Sequence, residues 1–143
     1  MEQDHSACER EIAKALGKFQ FLEEGIRVHL GSTYLLIAKR LEGQLVTRFS
    51  QKDLERKSLG NLLREFRKFC HNDNLISEIS NLIDDRNTLA HKGFYIMYKH
   101  LVDETDLNEL AAKARGTADK AESCIEELAK EITRVEKLLI GIV

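Results

Sequence analysis

Residues 106–142 have the sequence DLNELAAKARGTADKAESCIEELAKEITRVEKLLIGI, the clearest periodic stretch in the chain. Its apolar residues alternate steps of four and three, which is the a/d pattern of a bundle or coiled-coil helix. Asp106 is predicted to cap this helix, with Glu109 as its capping-box partner. The first half is rich in Ala, so another helix can approach closely there, whereas the second half is bulky. The apolar seam consists of Leu107, Ala111, Ala114, Ala118, Ala121, Ile125, Leu128, Ile132, Val135, Leu139 and Ile142.

A first long helix is predicted from about Ser6 to about Val46. A Gly inside a helix is less favourable than Ala by about 1 kcal/mol, so a bend or break is expected at Gly25 or Gly31. The apolar positions that define this helix are Ile12, Leu16, Phe19, Leu22, Ile26, Leu30, Ile37 and Leu41.

Two further helices are predicted between these long ones. Residues 47–57 are polar and basic and are expected to form a loop, after which Ser58 caps a short helix over residues 59–69. The turn at residues 71–74 then caps a third helix. The sequence therefore predicts one all-α domain over residues 1–143, an up-and-down bundle of four to five helices. The residues of the short helix expected to face inward are Leu62, Leu63, Phe66 and Phe69.

The composition is typical of a soluble protein, with 43% apolar and 32% charged residues among 143. No run approaches the ~20 apolar residues that cross a bilayer, and the N-terminus lacks the apolar core of a signal peptide. Cys8, Cys70 and Cys124 are an odd number without metal-type spacing, which favours a reducing compartment. We therefore expect a cytoplasmic protein with no membrane partner, no metal and no cofactor.

The third helix carries an Arg where its apolar stripe predicts Leu or Ile. Arg86 lies in the centre of the stripe, and Asn87 and His91, four residues apart, share its edge. A guanidinium in an apolar stripe is costly unless an anion meets it. Arg86, Asn87 and His91 are therefore the candidate catalytic residues. The stripe is formed by Leu75, Ile76, Ile79, Leu82, Ile83, Leu89, Ala90, Gly93, Phe94 and Met97.

These three side chains suit cleavage of a phosphodiester without a metal. The guanidinium presents a fork of donors that matches a phosphate, and an imidazole transfers protons at neutral pH. Asn87 would orient the imidazole or donate to an oxyanion. A ribose 2′-hydroxyl would attack the adjacent phosphorus while Arg86 stabilises the developing charge. DNA lacks that hydroxyl, so the predicted substrate is RNA.

The spacing of the motif indicates a dimer. Arg86 and His91 are five residues apart, about 140° around an ideal helix, so one helix does not easily aim both at one phosphate. Two copies facing each other across a two-fold axis would bring four such side chains to one cleft. A homodimer with a composite site is therefore expected.

Basic residues are concentrated before the motif. Between Lys39 and Lys68 there are nine Lys and Arg against four Asp and Glu, whereas from Asp103 onward there are six against ten. Such a zone is suited to phosphates, although a solvated helix face is the alternative interpretation. The candidate RNA-binding residues are Lys57, Arg64, Arg67, Lys68 and Lys92.

The motif resembles the signature of the HEPN superfamily, an Arg and a His separated by four to six residues near the end of a bundle helix. Arg86, Asn87 and His91 carry this resemblance, and Leu59-Gly60 and Asp84-Asp85 are similar to its wider pattern. The resemblance implies a dimeric bundle acting as a metal-independent endoribonuclease, often a toxin or antiphage defence component, with an antitoxin protein as a possible partner. Some members lack activity and act as scaffolds that bind RNA or a partner protein, which is the alternative function.

Structural interpretations stand beside the functional ones. Arg86 would instead form an ion pair with an acidic residue of another helix, such as Glu23 or Glu24. His91 would be an ordinary surface or core histidine, and Asn87 would make only a local bond. A purely structural bundle assembling through its last helix is a third possibility. The aromatic residues after the motif either stack on bases or pack in the core; these are Phe94, Tyr95 and Tyr98.

Overall fold

The computed structural model describes residues 2–99 and 104–141. Over these residues the chain is all-helical and contains no strand, which confirms the predicted all-α bundle. None of the helices in these two ranges combines the length and apolarity of a membrane span. The five helices are α1 (Glu2–Arg40), α2 (Lys52–Glu55), α3 (Leu59–Phe66), α4 (Asp73–Lys99) and α5 (Glu104–Ile140).

α1 is one continuous helix from Glu2 to Arg40, so the chain does not break at Gly25 or Gly31. Each glycine instead leaves room for a close neighbour. A Cβ on Gly25 would lie 2.7 Å from Cδ2 of Leu128, and a Cβ on Gly31 would lie 3.0 Å from Nε2 of Gln51. These two positions allow α5 and the segment before α2 to approach α1.

α1 ends earlier than its apolar pattern predicts. It stops at Arg40, not near Val46, and Gly43 in the following turn has φ of 80°. This left-handed conformation is open to Gly at no steric cost. Leu45 and Val46 leave the helix and are exposed on the connection to α2.

The segment after α1 contains a short helix that the sequence did not predict. α2 has four residues within the expected loop and buries Leu54. Ser58 caps α3 as predicted, since its Oγ accepts the backbone N–H of Asn61 at 3.4 Å. α3 ends at Phe66, and Phe69 lies beyond it as an exposed residue, so the inward orientation predicted for Phe69 is wrong. Leu62, Leu63 and Phe66 are buried as expected.

α5 buries its predicted seam but begins before its predicted cap. The helix already includes Glu104, so Asp106 lies in its first turn and does not cap it with Glu109. Seven seam residues are buried and three, Ile125, Ile132 and Leu139, are half-buried. Ile142 lies outside the described residues. The buried seam residues are Leu107, Ala111, Ala114, Ala118, Ala121, Leu128 and Val135.

The three long helices alternate in direction, as an up-and-down bundle requires. Lys18 Nζ lies 2.6 Å from Glu122 Oε2, and Arg115 Nη1 lies 4.0 Å from Glu11 Oε1. Residue numbers therefore increase in the same direction along α1 and α5, so these two helices run parallel. α4 runs in the opposite direction, because Gly93 near its end approaches Ile12 near the start of α1. α1 packs most extensively against α5.

The core has two clusters of buried side chains along the bundle. We call the part around the larger cluster the wide half, because α2 and α3 there join the three long helices and contribute Leu54, Leu59 and Phe66. We call the other part the narrow half, because its cluster draws only on α1, α4 and α5. The narrow-half cluster consists of Cys8, Ile12, Ala15, Leu89, Leu107, Leu110, Ala111, Ala114 and Ala118.

Candidate functional site

Arg86 lies on α4 at the boundary between the two halves. Leu82, one turn earlier, belongs to the wide-half cluster, and Leu89, one turn later, belongs to the narrow-half cluster. Both leucines are buried, whereas Arg86 between them is half-buried. The guanidinium therefore interrupts the core-facing stripe of α4 at the point where α3 no longer covers it.

The ion pair offered as the structural explanation of Arg86 is absent. Glu23 and Glu24 both pair with Arg27 instead: Arg27 Nη2 lies 3.0 Å from Glu23 Oε1, and Nη1 contacts Glu24 Oε1. Within residues 2–99 and 104–141, Arg86 forms no hydrogen bond or ion pair. The N–H donors of Arg86 are thus available to an anionic ligand.

His91 and Asn87 are both exposed on the same side of α4. The His91 ring meets the edge of Tyr95, with ring centroids 5.1 Å apart and an interplanar angle of 75°. This contact restricts the imidazole from one side, while His91 as a whole is exposed to solvent. No hydrogen bond among the described residues joins Arg86, Asn87 and His91, so one chain brings them near without forming a connected catalytic unit.

Two aromatic residues after the motif, Phe94 and Tyr95, are not core residues. Phe94 and Tyr95 are exposed, with ring centroids 6.5 Å apart. The predicted burial of Phe94 and Ala90 in the stripe is therefore wrong. α3 covers the equivalent side of α4 in the wide half, where Ile76 is buried, but nothing described covers it after Arg86. The side chains of Met97 and Tyr98 lie outside the described set.

An open groove between α1 and α4 begins one helical turn after Arg86. Its volume is about 310 Å³, and its lining is mainly apolar. Gly93 forms part of its floor, where an added Cβ would lie 3.3 Å from Cγ2 of Ile12. The lining residues are Glu9, Ile12, Ala13, Leu16, Ala90, Gly93 and Phe94.

The candidate RNA-binding residues divide between the two halves. Lys92 is exposed beside His91 in the narrow half, whereas the other four lie on α3 or next to it in the wide half. Lys68 Nζ donates to Glu65 Oε1 at 3.0 Å. Lys57 is half-buried, and the other wide-half candidates, Arg64, Arg67 and Lys68, are exposed.

Two residues of α1 that sequence reasoning missed hold the wide half together. Arg27 donates from Nε to the carbonyl of Leu54 at 3.1 Å and from Nη2 to the carbonyl of Lys57 at 2.9 Å, which fixes the segment between α2 and α3. His29 is 1% exposed and packs edge-on against Phe66 with centroids 4.7 Å apart. The spacing of Arg27 from Glu23 and Glu24 is a helical ion-pair pattern that could have revealed its role. No sequence signal marked His29.

The cysteines are unsuited to nucleophilic chemistry. All three are free and buried, and burial raises the pKa of Cys124 to about 12, with the nearby carboxylate of Glu78 adding to the effect. A thiol with such a pKa stays protonated at neutral pH. Among the described residues, no group of three or more His, Cys, Asp or Glu could hold a metal ion.

The arrangement therefore places a half-buried Arg86, without an ion partner among the described residues, five residues before the exposed His91. Comparisons of the chain with protein-family models, curated proteins and solved structures find no match. The motif and the geometry around it are therefore the features that indicate a function.

Proposed function

We propose that this chain is a metal-independent endoribonuclease of HEPN type that acts as a homodimer in toxin–antitoxin or antiphage defence. The observation that supports this most is the state of Arg86. It occupies a core-facing position of α4 without an ion partner among the described residues, and an exposed imidazole follows five residues later. A structural arginine at such a position would be expected to have a carboxylate partner.

The proposed reaction is an internal transesterification of RNA. The ribose 2′-hydroxyl attacks the adjacent phosphorus, and the bond from phosphorus to the 5′-oxygen breaks. His91 of one copy accepts the hydroxyl proton, and His91 of the other protonates the leaving oxygen. Arg86 stabilises the charge on the non-bridging oxygens, and Asn87 supports the site. The products carry a 2′,3′-cyclic phosphate and a 5′-hydroxyl.

A second copy of the chain is the proposed occupant of the groove between α1 and α4. The groove is largely apolar and adjoins the motif, and Phe94 at its rim is 55% exposed. An apolar surface of this kind favours a protein neighbour over water. A two-fold axis near α4 would bring the two copies of Arg86 and His91 to one cleft, which overcomes their divergence on a single helix.

The direct test is to incubate the purified chain with total RNA in the presence of a chelator. We expect cleavage with 2′,3′-cyclic phosphate ends, reduced about 100-fold or more in Arg86→Ala and His91→Ala. Arg10→Ala and His71→Ala are matched controls, because both residues are exposed elsewhere on the surface. Cleavage that persists unchanged in the two motif variants would refute the assignment.

The apolar character of the groove also supports the alternative function, a non-catalytic scaffold of HEPN type. In that case the groove would accept an apolar helix of a partner protein, such as an antitoxin, and Arg86 would hold an acidic group of the partner or an RNA phosphate. The wild-type chain would then never cleave RNA, even at high concentration. Arg86→Ala would still weaken the partner complex, measured by calorimetry.

A further inference from the structure

A second exposed aromatic surface lies in the wide half, away from the motif. The buried ring of Tyr34 carries Phe49 stacked on it, with centroids 4.7 Å apart and an interplanar angle of 21°. Phe69 meets the same ring edge-on at 6.0 Å and 79°. We call these three residues the aromatic platform. Phe49 is 53% exposed and Phe69 is 37% exposed, so the platform presents aromatic surface to solvent.

Three cations lie close to the platform residues along the chain. Arg48 and Lys52 flank Phe49 along the chain, and Arg67 lies two residues before Phe69. All three are exposed and form no ion pair with any residue that the structure describes. Their charges are therefore free to meet an anionic partner.

Two acidic groups, Glu65 and Asp53, also act on the platform. Burial raises the pKa of Tyr34, and the negative charges of Glu65 and Asp53 add to the effect. Asp53 Oδ2 accepts the backbone N–H of Ser50 at 3.1 Å, and Glu65 Oε1 accepts from Lys68 Nζ at 3.0 Å. Lys68 therefore offsets the charge of Glu65, whereas Asp53 keeps its negative charge, so among the described residues three exposed cations, Arg48, Lys52 and Arg67, outnumber the one unpaired carboxylate.

Exposed rings combined with free cations match the chemistry of single-stranded nucleic acid. Bases stack on aromatic side chains without regard to sequence, while Lys and Arg follow the phosphates. A duplex keeps its bases stacked on one another and offers mainly its backbone and groove edges. Phe49 lies flat on Tyr34, so one face of its ring is already supported and the other is open to a base.

We infer that the aromatic platform is a binding site for single-stranded RNA, with a base stacked on Phe49 and phosphates held by Arg48, Lys52 and Arg67. The inference deepens the proposed function, because it rests on RNA as the substrate class. It assigns substrate capture to the wide half and the chemistry to the motif of α4. Four of the predicted RNA-binding residues lie on or beside α3, next to this surface.

The test is a binding measurement in which no cleavage occurs. A fluorescent single strand of 2′-O-methyl RNA, which lacks the attacking hydroxyl, is titrated with the full chain and followed by anisotropy. A 2′-O-methyl duplex of equal length is the comparison. We expect the single strand to bind more tightly, and Phe49→Ala and Phe69→Ala to weaken its binding about tenfold each. Phe21→Ala is the matched control, since Phe21 is an exposed ring on a different face of α1.

Two further variants separate stacking and charge from folding. Phe49→Tyr keeps an aromatic ring and should retain affinity, whereas Phe49→Leu keeps only apolar packing on Tyr34 and should lose it. Arg67→Gln should reduce the slope of log affinity against log salt by about 0.7, the value for one phosphate contact of a single strand. Lys113→Gln, an exposed change on α5, should leave that slope unchanged.

Equal affinity of Phe49→Leu and wild type, or an equal loss in Phe21→Ala, would overturn the inference. So would binding only to vesicles of anionic phospholipid, because exposed Leu45 and Val46 and the same cations would then mark a membrane surface. If the platform variants bind normally but RNA is cleaved through Arg86 and His91, the platform is refuted and the nuclease stands. If the chain never cleaves RNA but binds it through Phe49, the nuclease proposal is refuted and the platform stands.

Discussion

The wide and narrow halves share the same three long helices, yet the apolar stripe of α4 is covered in the wide half and partly exposed in the narrow half. In the wide half α3 covers the groove between α1 and α4, and Ile76 and Ile79 are buried. In the narrow half the groove is open, and Ala90 and Phe94 are exposed although they continue the stripe. The wide half therefore supplies most of the apolar burial, whereas the narrow half leaves an apolar surface exposed beside Arg86.

The largest expected effect is the removal of a wide-half side chain. Phe66 is fully buried and packs against His29, so Phe66→Ala should lower the free energy of unfolding by about 3–5 kcal/mol. Phe94→Ala in the narrow half removes an exposed ring and should change it by about 0.5 kcal/mol or less. Urea denaturation followed by circular dichroism measures both. A similar loss in the two variants would show that the groove is covered within one chain.

The second prediction concerns pH and the buried histidine of the wide half. Burial lowers the pKa of His29 from 6.5 to about 4, so between these values the unfolded chain binds a proton that the folded chain does not. The free energy of unfolding should therefore be unaffected by His29 above pH 6.5 and fall as the pH drops below it. The loss approaches about 3 kcal/mol near pH 4.

The matched variant for this pH effect is His29→Gln, which cannot titrate at that position. Denaturant titrations at several pH values between 7.5 and 4 should show the stability advantage of wild type over the variant shrinking on acidification. Parallel curves for the two proteins would mean that His29 is readily protonated in the folded state.

The smallest predicted effect concerns two glycines within helices, Gly116 and Gly25. Gly116 lies in the narrow-half part of α5, and an added Cβ meets nothing within 4 Å. Gly116→Ala should therefore raise the free energy of unfolding by about 0.5–1 kcal/mol. At Gly25 an added Cβ would lie 2.7 Å from Cδ2 of Leu128. Gly25→Ala should therefore lower the free energy of unfolding by about 1 kcal/mol or more relative to wild type. Thermal melts of the two variants test the ranking, and equal gains would contradict the tight packing at Gly25.

The sequence predicted the regular elements where local chemistry and periodicity agree. Ser58 caps α3, and seven residues of the α5 seam between Leu107 and Val135 are buried. The cap depends on residues within one helix, and the apolar periodicity of the seam is the same in any helical bundle. The position of Arg86 in the stripe was visible for the same reason.

The remainder depended on contacts between elements distant in the chain. Gly25 does not break α1, because Leu128 of α5 packs over it. Phe94 is exposed in the narrow half, whereas α3 contributes side chains only to the wide-half cluster, which the pattern within α4 does not encode. The aromatic platform likewise joins Tyr34 to Phe69 across two helices. That Arg86 lacks an ion partner among the described residues could be learned only once Arg27 was seen to occupy both Glu23 and Glu24.

The parallel pairing of α1 with α5 also has a consequence for biosynthesis. Lys18 and Glu122, which meet across this pair, are 104 positions apart in the chain, and both core clusters include residues from each of these helices. Neither core can close until α5 has emerged from the ribosome, because each core needs side chains from both helices. Until then the nascent chain exposes the apolar faces of α1 and α4, and exposed apolar surface of this kind favours aggregation or chaperone binding.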